Sequence, residues 1–216
     1  PPHDARHGPR QAHDGALHLD SSVFTAFEFG AEFGFQGPTR PLDPALPDAR
    51  APQRLFRITA RDGANTATMT QLAPHGVDFP RVHPEHEGVR TPTLFAASRA
   101  DLAHSDPFDS VLRVDLDDPQ RPPQLWTAPE NVFVGEPLYA PESGHVLVML
   151  SDGARHETTL AVFDAATIDR GPVARVPLPL LPYGFHGAWA RLRSKRKAHY
   201  GDGVGFELRP GTRFLR

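Results

Sequence analysis

Twelve histidines and no cysteine stand in a chain of 216 residues. Disulfides, thiolate metal sites and a cysteine nucleophile are therefore excluded, and imidazole and carboxylate are the strong metal ligands available. A supply of histidine does not by itself define a site. His75, His83 and His86 fall within twelve residues, but the stretch is proline-rich and offers neither a helical i, i+4 pair nor a cysteine partner. It reads as a solvated loop rather than a zinc site, and His104, His145, His156 and His199 read the same way. His186 lies between glycines after a proline-rich strand, and Glu136 precedes Pro137. Taken alone, these are a turn histidine and a loop carboxylate at a strand end. No paired carboxylates or nucleophile–base arrangement argues for a hydrolase.

The elements that must position these groups are short. Twenty-four prolines and 18 glycines punctuate the chain, leaving segments too brief for ordinary helices but adequate for strands. An all-β protein is expected. Strands are predicted at Ala16–Phe24, Arg54–Thr59, Asn65–Leu72 after the turn Asp62-Gly63, Ser110–Leu116, His145–Leu150, Thr159–Asp164 and Ala174–Leu178. Ser110–Leu116 has the clearest period of two, with Leu112, Val114 and Leu116 on one face and Arg113 and Asp115 on the other, as in a half-buried strand. His145–Leu150 is a nearly continuous apolar run that turns at Ser151-Asp152-Gly153 and pairs with Thr159–Asp164 through a loop longer than two residues. Pro177 predicts a sheet edge or strand end for Ala174–Leu178. Such spacing suits a sandwich, a barrel or a propeller, and no tight repeat chooses among them.

A net charge of -3 gives no general attraction to nucleic acid or to an anionic surface. No apolar run approaches the roughly 20 residues of a spanning helix, and no signal-peptide pattern opens the chain, so a soluble, cytoplasmic protein is expected. The chain starts at Pro1, and residues 1–15 carry His3, His7 and His13 with almost no apolar positions, so further sequence is expected to precede it. Pro38–Pro52 reads as a surface loop. The basic run Arg191–Lys197 reads as part of a solvated tail that could make weak contact with an anionic membrane surface.

Three islands in order carry a resemblance. Val77-Asp78-Phe79-Pro80-Arg81-Val82 resembles the EFPRI segment of the carotenoid oxygenase family. Gly135-Glu136-Pro137-Leu138-Tyr139-Ala140-Pro141 is similar to its GEP segment, and Ala174–Pro179 with Tyr183–Trp189 to its terminal ARVPLP and GFHGxW signature. The hairpin 145–164, with its turn Asp164-Ala165-Ala166-Thr167, matches the strand pair between the last two islands. The similarity runs from about Ala16 to Trp189.

The resemblance implies a partial seven-bladed β-propeller, of which residues 16–189 supply roughly the last three blades. It places 1–15 as a poorly ordered start, read as the remnant of a preceding blade, and 190–216 as a basic, disordered tail. It further implies an Fe(II) dioxygenase that uses O2 to cleave a carbon–carbon double bond of a carotenoid, apocarotenoid or stilbene-like substrate, an apolar polyene or stilbene, to carbonyl products. Four neutral histidines hold iron in such a site, which keeps the metal ferrous with open positions. By this likeness His186 is the last metal ligand. Glu136 accepts the other ring N–H of a ligand histidine, and Asp78 stands where another such carboxylate, a glutamate, is usual. His7 lies at about the distance of the third ligand, although Arg10, Gln11 and His13 depart from the pattern around it. With at most two of four ligands present, the chain alone is expected to bind iron weakly and to cleave nothing. The alternative is a propeller-derived binding module with neither metal nor catalysis.

Overall fold

In the computed structural model of the chain the described residues are 10–11, 15–23, 54–100, 108–184 and 186–189. They form twelve strands and two single-turn 3-10 segments, with no α-helix among them. The strands are β1 (Arg10–Gln11), β2 (Ala16–Val23), β3 (Arg54–Arg61), β4 (Ala67–Val82), β5 (Thr93–Arg99), β6 (Ser110–Asp115), β7 (Gln124–Thr127), β8 (Val132–Val134), β9 (Leu138–Ala140), β10 (His145–Asp152), β11 (Glu157–Asp164) and β12 (Ala174–Leu178). The all-β expectation holds. His7, Phe24, the loop 38–52, His104, Phe185 and the basic run lie outside the described residues.

Every pairing is antiparallel between sequence neighbours, apart from β8, which with β9 shares the partner β10. Strand β4 explains how one seven-stranded sheet contains two meanders. Its first half, from Ala67 to Gln71, pairs with β3, and its second half, from Gly76 to Val82, pairs with β5. Between them the register against β3 jumps from Gln71 to Gly76, so Pro74 falls where no ladder hydrogen bond is required of it. Strands β1 to β4 thus make one meander and the far half of β4 with β5 to β7 a second. A third is built from β8 and β9, β10, β11 and β12.

Two apolar clusters stack these meanders face to face. Leu55, Leu72, Ala73, Val77, Leu94, Ala96, Leu112 and Val114 fill the space on one side of β5 and β6. Phe79, Phe95, Ala97, Phe108, Val111, Val134, Val146, Val148, Leu150, Ala161, Phe163 and Ile168 fill the other. Alternate residues of β5 enter different clusters, as a strand's period of two requires. The middle meander is therefore covered on both faces. Ser110–Leu116 keeps its predicted alternation from Leu112 on, with Leu112, Val114 and Leu116 buried and Arg113 and Asp115 partly exposed, but Val111 on the opposite face is 0% exposed because the other cluster covers it.

The turn after Arg61, the hairpin of β10 and β11 with its four-residue loop, and the edge position of β12 follow the sequence expectations. The proline-rich stretch around His75 does not. His75 lies in β4, not in a solvated loop, and its Nδ1 is buried; burial lowers the pKa of this imidazole. His83 and His86 do lie beyond the strand, at a 3-10 turn over Pro84–His86. Strands β1, β5, β7, β8 and β9 have no counterpart in the sequence reading. Three of them are only three or four residues long, too short to display a period.

Candidate functional site

Two irregularities, one in the first strand of each of the last two meanders, build the site. In β4, Asp78 pairs with Ala97 and Arg81 with Phe95, so one extra residue is inserted at Phe79-Pro80. Phe79 has φ 53°, a left-handed backbone that bulky side chains rarely adopt. Pro80 has no N–H to lose from the ladder, and Asp78 Oδ1 accepts a hydrogen bond from the Phe79 N–H at 2.7 Å. Such a bulge re-aims side chains. In the next meander Gly135-Glu136-Pro137 separates β8 from β9, which pair with opposite ends of β10. The Gly135 N–H still donates to Met149 O at 2.8 Å, and a Cβ at Gly135 would stand 3.2 Å from that oxygen. Glu136 is thereby turned out of the ladder.

The segment after β12 then crosses back over the third meander. Leu181 N–H donates to Thr158 Oγ1 at 3.0 Å, and the Tyr183 hydroxyl donates to Val134 O at 2.6 Å. Burial of that hydroxyl pushes the Tyr183 pKa up to about 12, with the nearby Arg99 charge opposing and Asp78 reinforcing the shift. This crossing delivers His186 and Gly187 to Glu136.

At the meeting point the carboxylate of Glu136, 8% exposed, is surrounded by donors. Oε1 accepts from Arg81 Nε at 2.8 Å and from His186 Nδ1 at 3.3 Å, and Oε2 accepts from Gly187 N–H at 2.6 Å. A terminal nitrogen of Arg81 also donates to Gly187 O at 2.9 Å. The imidazole of His186 meets the edge of Phe79, ring centroids 5.6 Å apart at 89°, and Phe79 in turn meets Phe108 at 5.7 Å. The His186 side chain is 62% exposed on its remaining sides.

A carboxylate only accepts, so Nδ1 of His186 carries the proton in this contact, and the neutral ring has its lone pair on Nε2. This tautomer fits a metal-ligating histidine oriented by a carboxylate. Among the described residues no group of three or more histidine, aspartate or glutamate side chains could hold a metal ion. The arrangement can therefore present one oriented imidazole, with further ligands required from elsewhere.

The structure brings His186 and Glu136 together across 50 residues of sequence. Asp78 sits on the adjoining bulge, with one oxygen on the Phe79 N–H, and His7 lies outside the described residues. Of the aromatic residues near the motifs, Tyr139 lies tilted against His83 at 4.6 Å and against Phe95 at 5.7 Å, and Trp189 is 40% exposed. Sequence reasoning missed Arg81 and Phe79 as members of the site. The signal was present: both belong to the same island as Asp78, and a buried carboxylate needs a cation or several N–H donors.

Comparison with known proteins identifies the family of the chain. The family described as Retinal pigment epithelial membrane protein matches residues 11–191, and the chain belongs to this family, the carotenoid oxygenases. Carotenoid cleavage dioxygenase 7, chloroplastic, of Oryza sativa is 28% identical over 201 residues, covering 82% of this chain and 32% of that protein. Apocarotenoid-15,15'-oxygenase of Synechocystis is 27% identical over 148 residues, 65% of this chain and 30% of that protein. Lignostilbene-alpha,beta-dioxygenase isozyme III of Sphingomonas paucimobilis is 26% identical over 209 residues, 79% of this chain and 40% of that protein. The cobalt-substituted Synechocystis apocarotenoid oxygenase has the same fold over 87% of this chain and 39% of its own, with a TM-score of 0.73 at 24% identity. The chain thus spans about a third of the length of the first two curated relatives.

Proposed function

We propose that this chain is the terminal, roughly three-bladed part of a seven-bladed β-propeller dioxygenase that cleaves a carbon–carbon double bond of an apolar polyene or stilbene-like molecule. The observation that carries the proposal is the hydrogen bond from His186 Nδ1 to Glu136 Oε1, 3.3 Å long, between segments far apart in sequence. Support also comes from the names of the relatives, cleavage dioxygenases of carotenoids and of lignostilbene.

His186 would hold ferrous iron through Nε2, and iron, when bound, would supply activation of dioxygen for insertion at the alkene. The work of this chain is positional. Glu136 holds the Nδ1 proton and so fixes the tautomer and plane of the ring, and Phe79 limits its rotation. Asp78 supports the left-handed turn at Phe79 and would orient a ligand histidine through an intervening water. His7 would be a further ligand. The basic run 191–197 would give weak contact with an anionic membrane surface, which brings a cytoplasmic protein to lipid-soluble substrate.

The test compares the 216-residue chain with a longer product read from upstream of Pro1. The longer product is expected to hold about one iron and to convert an apocarotenoid to carbonyl fragments, with both lost on His186→Ala; the chain alone is expected to release none. Iron-free, folded and inactive longer protein would overturn the dioxygenase reading in favour of a binding module without metal. Cleavage by the 216-residue chain would overturn its dependence on ligands from elsewhere.

A further inference from the structure

We infer that Arg81 is a positioning residue for His186: its guanidinium closes a three-membered clamp with the Glu136 carboxylate and the Gly187 peptide that fixes the imidazole to the bulged ends of two neighbouring meanders. The inference rests on the metal-ligand reading of His186 for its meaning in function, and on geometry alone for its structural content.

Three links make the clamp. Arg81 reaches Glu136 Oε1 through Nε at 2.8 Å and through a terminal nitrogen at 2.8 Å. The same guanidinium reaches Gly187 O at 2.9 Å, and Gly187 N–H closes the ring on Glu136 Oε2 at 2.6 Å. Both peptide groups of Gly187, the residue that follows the ligand candidate, are thus held by the two side chains that flank the ring. The 3.3 Å contact of Glu136 with His186 is the longest of the set. It is made by an oxygen whose position Arg81 already determines, so the histidine contact depends on the arginine. Lysine does not reproduce this. Its single ammonium lacks the planar fork that addresses a carboxylate oxygen and a carbonyl oxygen together.

The side chain arrives there because of the backbone. Without the extra residue at Phe79-Pro80, Arg81 would change faces of β4, since a shift of one residue reverses every side chain beyond it. The left-handed Phe79 therefore serves two contacts at once, its own ring edge on His186 and the aim of Arg81 two residues on.

The test uses the 216-residue chain with nitrogen-15 histidine and uniformly labelled backbone, in wild type, Arg81→Gln and Arg81→Lys. In wild type the His186 ring is expected mainly in the Nδ1–H form, with a protected Gly187 amide. In Arg81→Gln the Nε2–H form is expected to gain, and Gly187 exchange to rise about tenfold, while amides of Val146 and Phe163 are unchanged. Arg81→Lys, which keeps the charge, is expected to leave exchange at Gly187 elevated. An unchanged tautomer and unchanged Gly187 exchange in either folded variant would overturn the clamp, and so would full recovery with lysine. Cobalt(II) added to the same samples separates this from the metal reading. Broadening of the Gly187 amide that disappears in His186→Ala and weakens about tenfold in Arg81→Gln supports both. Broadening that is insensitive to His186→Ala sinks the metal reading and leaves the Gly187 and tautomer results to decide the clamp.

Discussion

At the scale of single residues, the site depends on polar groups held at the ends of strands. Glu136 is nearly buried, and three hydrogen bonds from Arg81, His186 and Gly187, with a second Arg81 nitrogen 2.8 Å from Oε1, offset its loss of water. Asp20 and Arg57 show the ordinary use of the same chemistry, a two-pronged pair at 2.8 and 3.0 Å between directly opposed residues of β2 and β3. The difference is reach: the Glu136 pair ties separate meanders together. Tyr183 adds a titratable link in the crossing segment. Its pKa rises from 10.0 to about 12, so its contribution to stability is complete below pH 10, where the hydroxyl is protonated in both states. As pH rises from 10 towards 12 the unfolded chain ionises first and that contribution is lost. Urea unfolding as a function of pH is expected to show this alkaline fall, and Tyr183→Phe to flatten it.

At the scale of elements, interruptions matter more than strands. The bulge at Phe79-Pro80 and the break at Gly135-Glu136-Pro137 each place a proline where the ladder has no use for an N–H. The turn after β11 works the same way. Asp164 Oδ1 accepts from Ala166 N–H at 2.8 Å, and Gln124 of β7 ties that turn to the second meander through Ile168 N–H at 2.9 Å and Ala166 O at 3.0 Å. Gly171 ends this segment with φ 82°, and a Cβ there would meet Trp126 Nε1 at 3.0 Å. Gly171→Ala therefore combines a disfavoured backbone with a clash and is expected to destabilise the chain by about 2 kcal/mol, measured by urea denaturation. Gly144, with φ 67° and no atom within 4 Å of its Cβ position, is the control that isolates backbone strain from the clash.

At the scale of the whole molecule, the middle meander is the keel. Strands β5 and β6 carry side chains into both apolar clusters, and Leu112 and Val111 are each 0% exposed. Their amides are expected to exchange slowest in the chain, and Leu112→Ala to cost about 3 kcal/mol by chemical denaturation with loss of protection in the first two meanders. Much of this was legible beforehand. Proline and glycine spacing determined an all-β chain, the apolar runs determined the β10–β11 hairpin, and Pro177 limited its strand to a sheet edge or a strand end, because each is a local rule about backbone geometry. The three islands of residues around Asp78, Glu136 and His186 pointed to one family through their resemblance, in order, to its motifs. Tertiary structure alone decided the rest. The cover on both faces of β6, the long β4 shared by two meanders and the burial of His75 depend on what packs above and below a strand, which its own pattern does not encode. Arg81 joins Glu136 and Gly187 across 55 and 106 residues of chain, and no local rule can join groups whose contact exists only after the meanders have stacked.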